Sequence, residues 1–174
     1  IIDASGENGG GTVQIGGGFQ GRNEEISNSD LLLVESGARI SANAVESGNG
    51  GVVILWSDGD TLFSGDISAR ALGATGNGGF AEISGKQNLG FDGVADVTAL
   101  NGTSGTILLD PTNVTISSQT ASASIVNNIA LSNLLDLGNN VVITSNFGAA
   151  GPAGDITVGR NTSQTVANGD RVEW

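Results

Sequence analysis

Apolar residues occupy every second position in five short segments of the chain, and each segment follows a glycine. The residues two and four places after that glycine are apolar in all five segments, whereas the residues between them are mixed in character. The apolar positions are Val13, Ile15, Val53, Leu55, Ala81, Ile83, Ile107, Leu109, Ile156 and Val158. A period of two with one apolar face predicts half-buried β-strands. Gly and Asn between the strands provide the corners that such a chain needs.

The strands belong to a longer repeat. A Gly-Asn-Gly-Gly corner ends at Gly51 and again at Gly79, 28 residues later, and a weaker copy ends at Gly105 after a further 26. Phe-Ser-Gly at Phe63 returns as Phe-Asp-Gly at Phe91, also after 28 residues. The shared period predicts an all-β fold, a right-handed parallel β-helix (β-solenoid) of about six coils with roughly 28 residues each. A β-sandwich or barrel is the alternative, but it does not explain the long period.

Two segments depart from the repeat within what we expect to be a single domain, residues 1–174. Gly11 lies 40 residues before Gly51, so about a dozen residues are inserted, and the polar stretch 18–30 is the predicted extra-helical loop. In residues 124–137 the apolar positions are nearer to helical than to alternating spacing, which predicts a short helix. The segment from Asp155 to Val158 lies about two periods after Gly105 and is expected at the same repeat position.

Composition restricts the chemistry. The chain has 18 acidic and 6 basic residues, a net charge of −12, and neither Cys nor His. Thiolate or imidazole nucleophiles, the usual zinc sites and disulfides are therefore excluded, and we predict no cofactor and no metal. The absence of a basic cluster argues against a nucleic-acid partner. No apolar stretch approaches the roughly 20 residues of a membrane-spanning helix, so the chain is not expected to be transmembrane.

Four blocks in a fixed order resemble a known family. They are Asp-Ala-Ser-Gly at 3–6 with Gly-Gly-Gly-Thr-Val-Gln-Ile-Gly-Gly at 9–17, Ile-Ser-Ala-Asn-Ala at 40–44 before Gly-Asn-Gly-Gly at 48–51, Gly-Gly-Phe-Ala-Glu-Ile-Ser-Gly-Lys at 78–86, and Leu-Leu-Asp-Pro-Thr-Asn-Val-Thr-Ile at 108–116. With them the chain resembles the internal repeat region of filamentous-haemagglutinin-like adhesins, the β-helical exoproteins of two-partner secretion. The resemblance implies a secreted or bacterial cell-surface protein with an adhesive or structural role.

The predicted function is accordingly a non-catalytic structural or adhesive segment, and two kinds of partner are open. Unpaired edges at the first and last coils, where no cap is evident, could stack on a second copy and form an extracellular filament, or pair with neighbouring repeats of a longer chain. A host or matrix surface is a further partner. Two functions from other classes are alternatives: a β-helical carbohydrate-active enzyme and a glycan-binding module.

The candidate interaction surface lies on the outward side of the central coils. Its residues are Val52, Ile54, Trp56, Phe80 and Leu108. If this side faces solvent, it is an exposed apolar patch that marks a docking surface, with Trp56 suited to a sugar ring. The alternative is that the 18–30 loop or the 124–137 helix covers it.

The enzyme alternative requires carboxylates and a base that converge. Asp66, Asp92, Arg70 and Lys86 are the candidates from neighbouring coils, but the acids are scattered singly along the chain. We therefore expect these to be surface charges, and we expect no pair of carboxylates to converge. The calcium-binding nonapeptide pattern is absent. Glycosylation-type triplets begin at Asn101, Asn113 and Asn161.

Overall fold

The computed structural model describes residues 1–145, 154–159, 163–166 and 171–173. These contain short strands, a 3-10 turn at Phe19–Gly21 and one α-helix. The strands are β1 Ile2–Asp3, β2 Thr12–Ile15, β3 Leu31–Val34, β4 Arg39–Ser41, β5 Val52–Ser57, β6 Asp60–Phe63, β7 Asp66–Ser68, β8 Phe80–Gly85, β9 Asn88–Phe91, β10 Val94–Asp96, β11 Thr106–Leu109, β12 Val114–Ser117, β13 Ile125–Asn127, β14 Asn140–Thr144, β15 Ile156–Gly159, β16 Ser163–Val166 and β17 Arg171–Glu173, and the helix is α1 Asn128–Asp136.

The strands form three sheets that run along a parallel β-helix, as the repeat predicts. The orders are β1-β4-β7-β10, β17-β14-β11-β8-β5-β2 and β16-β15-β12-β13-β9-β6-β3. Val52 of β5 lies opposite Phe80 of β8, and Phe80 lies opposite Thr106 of β11, which reproduces the spacings of 28 and 26 residues. The six-stranded sheet contains five parallel strands followed by antiparallel β17, and the seven-stranded sheet contains six parallel strands followed by antiparallel β16, in agreement with about six coils. The right-handed sense of the coil stays a prediction.

Aliphatic and aromatic side chains fill the interior, where like residues stack from coil to coil. All ten of the apolar positions predicted from the alternation either belong to the buried core or pack against it. Phe63 and Phe91, one coil apart, stack with their ring centroids 5.5 Å apart. Small residues line the corner beside the four-stranded sheet, where Ala44, Ala71 and Ala99 pair in parallel bridges. This stacked interior is the part of the molecule that the alternation of apolar residues predicts.

Helix α1 confirms the predicted helix and takes the place of a fifth strand beside β10. Asn127 caps it by accepting hydrogen bonds from the backbone N–H groups of Ile129 and Ala130. The buried side chain of Asn139 satisfies backbone groups along β10, the last strand of its sheet. Its Oδ1 accepts a hydrogen bond from the Val97 N–H at 2.8 Å, and its Nδ2 donates to the Ala95 carbonyl at 3.1 Å. Among the described residues no helix is long and apolar enough to cross a membrane.

The C-terminal part differs from the expectation in two respects. The segment from Asp155 to Val158 does not lie two coils after β11 in its sheet: β15 pairs with β12 in the seven-stranded sheet, and the place beyond β14 is occupied by β17. Chain length explains this, because the α1 insertion lengthens the coil between β11 and β14 to 34 residues. In addition, β16 and β17 pair antiparallel with β15 and β14, so the chain reverses at this end of the stack instead of ending in an open parallel coil.

Candidate functional site

The outward side of the central coils is covered. Ile54 and Trp56 of β5, Glu82 and Ser84 of β8, and Asp110 just after β11 point away from the core, yet each is 2% exposed or less. We call these five residues the outer face. The connection between β2 and β3, residues 16–30, lies over it, and we call this connection the cover segment. Of the two coverings considered from the sequence, the 18–30 loop is therefore the one observed.

Glycines allow the cover segment to lie flat on the Trp56 ring. A Cβ at Gly17 would lie 2.6 Å from Trp56 Cδ1, and one at Gly21 would lie 2.5 Å from Trp56 Nε1. Gly21 also has a φ of +62°, in the left-handed region that favours glycine. Any larger residue at either position would lift the segment from the ring.

Polar contacts fix the far end of the cover segment to the corner after β5. Asn28 Nδ2 donates to the Gly21 carbonyl at 3.0 Å and to Asp58 Oδ1 at 3.2 Å. Trp56 Nε1 donates to the same Asp58 oxygen at 3.3 Å. The Asp58 N–H donates to the Ser29 carbonyl at 2.7 Å. The ring is therefore enclosed on its outward side and hydrogen-bonded at its edge.

Two carboxylates converge beneath the same segment, where Gln20 joins them. The backbone N–H of Gln20 donates to Glu82 Oε2, and its side-chain Nε2 donates to Asp110 Oδ2, both at 3.0 Å. Gln20 makes both contacts from a left-handed conformation with a φ of +51°, which costs energy for a residue with a Cβ. The other oxygen of Asp110 accepts a hydrogen bond from the Thr144 hydroxyl, and Ser84 Oγ accepts one from the Asp110 N–H at 3.1 Å.

Burial changes the ionisation of this pair. It raises the pKa of Glu82 from 4.5 to about 7, and repulsion from Asp110 acts in the same direction, although the Gln20 N–H and the charge of Arg22 oppose it. Burial also raises the pKa of Asp110, against the hydrogen bonds from Thr144 and Gln20. Glu82 Oε1 has no hydrogen-bond partner among the residues described. Glu82 therefore keeps its proton to a higher pH than an ordinary carboxyl group and loses it around pH 7.

The expectation that no carboxylates converge is thus wrong for Glu82 and Asp110. Glu82 lies opposite Leu108 in the sheet, and Asp110 follows two residues beyond Leu108, so the two acids are on a diagonal and share no repeat position. A search for acids that recur once per coil misses such a pair. Gln20, which joins them, lies outside the repeat altogether.

The acids and bases named from the sequence lie elsewhere and do not converge. Asp66 begins β7 beside Arg39, with 3.8 Å between the charged groups, and Arg70 pairs with Asp96 at 3.2 Å. Asp92 follows β9, whereas Lys86 precedes it, so the two are at opposite ends of that strand. Their placement agrees with the expected surface charges.

The predicted docking surface is corrected in part. Ile54 and Trp56 are enclosed and cannot contact a partner while the cover segment is in place, whereas Val52, Phe80 and Leu108 are half-buried. Phe80 meets the cover segment through Phe19, with ring centroids 5.9 Å apart in an edge-to-face arrangement. A sugar-binding role for Trp56 required an exposed ring, so this structure does not support it.

The comparisons with known proteins add nothing to this picture. No protein-family model and no curated protein matches the chain. The assignment of a role therefore depends on the fold and on the contacts described above.

Other candidate sites give a mixed result. No group of three or more acidic side chains that could hold a metal ion occurs in the described part of the chain. Asn101 and Asn113 are exposed, and each is hydrogen-bonded to backbone on another coil: Asn101 Nδ2 to the Gly73 carbonyl, and Asn113 Oδ1 to the Asp155 N–H. Asn161 lies outside the described residues.

The first coil presents an apolar edge. Leu31 is 60% exposed and Leu33 57% exposed on β3, the edge strand of its sheet. Beside them lies a groove of about 360 Å³. Its apolar lining includes Ile1, Ile2, Ile15, Leu32, Leu33 and Val34. The first coil thus offers both unpaired backbone and apolar surface.

Proposed function

We propose that this chain is a non-catalytic structural segment of a secreted or cell-surface β-helical exoprotein, in which parallel sheets set distance and bear load. The observation that supports this most is the edge of the first coil, where β1, β2 and β3 carry unpaired backbone groups beside an apolar groove. Such an edge is a template for a further parallel coil. The resemblance to filamentous-haemagglutinin-like adhesins supports the extracellular location and an adhesive role.

The partner proposed for this edge is another coil, which neighbouring repeats of a longer chain would supply in parallel register; a second copy stacked head to tail would instead bring its antiparallel strand β17 against the edge. The two ends of the stack differ, because the C-terminal strands β16 and β17 run antiparallel. We therefore assign the parallel addition to the N-terminal edge. The residues named for the enzyme alternative, Asp66, Asp92 and Lys86, lie apart, and the Glu82–Asp110 pair that does converge is enclosed beneath the cover segment.

Edge strand β2 provides a variant that tests the pairing. The Val52 N–H donates to the Gly11 carbonyl, so in this parallel pair the odd-numbered residues of β2 bond to β5. The N–H and C=O of Gln14 consequently face the open edge. Gln14→Pro removes an edge donor without removing a β2–β5 hydrogen bond, and Gln14→Ala is the matched control that keeps the donor.

The experiment is electron microscopy of the purified chain at micromolar concentration. End-to-end pairing predicts rods with an axial repeat of roughly 25–30 Å, because five or six coils each advance by about 4.8 Å. The rods should persist in Gln14→Ala and be lost in Gln14→Pro. Discrete particles in the unsubstituted chain would exclude a second copy as the partner and leave neighbouring repeats, whereas rods that survive Gln14→Pro would contradict pairing through this edge. Detection of the native protein at the cell surface with antibodies against the chain tests the location.

A further inference from the structure

We propose that the cover segment is a proton-dependent lid, which docks on the outer face when the carboxylate pair beneath it holds a proton and undocks when that proton is lost. The residues that form the device are Gln20, Glu82, Asp110 and Trp56. This inference is independent of the proposed function, because it concerns one face of the central coils and not the ends of the stack.

The geometry of Gln20 is the first support. The cover segment contacts the pair through donors from a single residue, its backbone N–H to Glu82 and its side-chain amide to Asp110, each at 3.0 Å. That residue is held in the left-handed region, which is strained for glutamine. The segment therefore docks through a single strained residue, so that a change in either carboxylate acts directly on the docked conformation.

The burial of charge is the second support. Glu82 is fully buried with one oxygen lacking a partner among the described residues, and an ionised carboxylate in that position is costly unless it is paired. Undocking returns both carboxylates to water. Since burial raises the pKa of Glu82 from 4.5 to about 7, the docked state binds a proton more tightly than the undocked state.

The sign of the pH dependence follows from the higher pKa of Glu82 in the docked state. The stabilisation by the protonated carboxyl is complete below pH 4.5 and is lost as pH rises to about 7. Within that interval the ratio of docked to undocked chains falls by up to tenfold per pH unit. The pKa of Asp110 is shifted in the same direction, so its titration reinforces the trend. The lid is therefore closed in acid and loosened at neutral to alkaline pH.

Other charged groups surround Glu82, and two of them act on it. Asp110 raises the pKa of Glu82 and Arg22 lowers it. Strand β14 carries no charged residue. Within the described part of the chain, the other charged residues nearby are Glu24, Glu25 and Asp30 on the cover segment, Asp58 after β5 and Lys86 after β8, and Arg171 of β17 lies opposite Thr144 in the sheet.

Trp56 reports the position of the lid. Trp174→Phe removes the second of the two tryptophans, so the fluorescence of the resulting chain comes from Trp56 alone. Acrylamide quenching is measured from pH 4.5 to 8.5, with far-UV circular dichroism to verify that the β-helix stays folded. We expect the quenching constant to rise at least twofold with a midpoint near pH 7. Asp58→Asn controls for direct effects of the carboxylate beside the indole.

Two variants isolate the carboxylate pair. Glu82→Gln is neutral at every pH and still offers an oxygen to the Gln20 N–H, so its quenching should stay at the low value throughout. Asp110→Asn removes the repulsion that raises the pKa of Glu82, so the midpoint should move to lower pH. If Glu82→Gln does not fold, the Asp110→Asn shift tests the same inference.

A sensitised chain makes a negative result decisive. Gly21→Ala places a methyl group against the Trp56 ring, which destabilises the docked state. The population of undocked chains then rises to a level that quenching detects. Quenching that does not change with pH, either with or without the Gly21→Ala substitution, would overturn the proposal. So would a pH response that Glu82→Gln leaves intact.

Discussion

The inner and outer sides of the central strands are equally buried but for different reasons. Leu55 and Ile83 point inwards and pack against side chains of the coils before and after them. Trp56 and Glu82, their neighbours in the same strands, point outwards and are buried beneath the cover segment. The inner side is held by many repeated apolar contacts, whereas the outer side depends on one connection. Equal burial therefore does not make the two sides equally resistant to exposure.

The chemistry of the two sides differs in the same way. Inward positions carry aliphatic and aromatic residues, whose burial is insensitive to pH. Outward positions carry two acids, a serine and a tryptophan, whose hydrogen bonds run to the cover segment, to one another and to Asp58, and which leave Glu82 Oε1 without a partner among the described residues. A protein that needs only a stable rod has no use for buried carboxylates on its outer side. Their presence is the chemical difference between this face and the apolar core.

The largest expected effect is on the inner side. Phe91→Ala removes a ring that is fully buried and stacked on Phe63, and it should lower the free energy of unfolding by about 3–5 kcal/mol. Phe19→Ala on the cover segment is the matched control, because that ring is 47% exposed and should cost about 1 kcal/mol. Urea denaturation measures both. Similar losses from the two substitutions would contradict the distinction between the sides.

The next effect is the pH dependence that the outer side adds. Because the pKa of Glu82 is raised in the folded chain, its contribution to stability is lost between pH 4.5 and about 7. The unsubstituted chain should lose on the order of 2–3 kcal/mol over this interval relative to Glu82→Gln. Denaturation of the two chains at a series of pH values gives the difference directly. A difference that is flat, or that grows with pH, would show that the sign is wrong.

A smaller effect is expected from displacing the cover segment while the core stays intact. Gly21→Val adds a branched side chain where even a Cβ lies 2.5 Å from Trp56 Nε1, and it forces a strained φ. We expect a loss of about 1–3 kcal/mol and a red-shifted Trp56 emission at all pH values, with unchanged circular dichroism. Gly37→Val, a glycine with φ of +87° and open space around it, is the control for backbone strain alone. A red shift in the control as well would remove the support for specific contact with the ring.

The smallest effect concerns the polar contacts of the cover segment. Asn28→Ala removes the hydrogen bonds to Gly21 and Asp58, but it also removes a buried side-chain oxygen that lacks a partner among the described residues. The two changes partly offset each other, so we expect a loss of about 0.5–1 kcal/mol. Amide hydrogen exchange should be faster in residues 16–30 and unaltered in β8. Faster exchange throughout the sheets would mean that Asn28 supports the whole fold.

The sequence predicted the inner side well because its signal is local and repeated. Val53 and Leu55 alternate with their neighbours, and the same alternation returns once per coil, so the strands, the period and the helix near Asn128 were accessible. The place of β15 was not, because the longer coil around α1 shifts the register of the later strands.

The outer side could be predicted only in part. Trp56 was identified as outward, and its burial by the inserted loop was one of two alternatives. Glu82 has the pattern of an ordinary solvent-facing residue of a strand, because nothing in the alternation shows that another segment covers it. The link through Gln20 depends on the path of a non-repeated connection, and a repeat carries no information about such a path.

The most direct test of the difference between the two sides is the pKa of Glu82, measured from the carboxyl carbon resonance by NMR in the unsubstituted chain and in Gly21→Val. We predict a titration near pH 7 when the cover segment is docked, and a return towards the ordinary 4.5 when the valine introduced at position 21 displaces it. A carboxyl group that titrates near 4.5 in both chains would contradict the account, because the outer face would then be exposed to water with or without its cover.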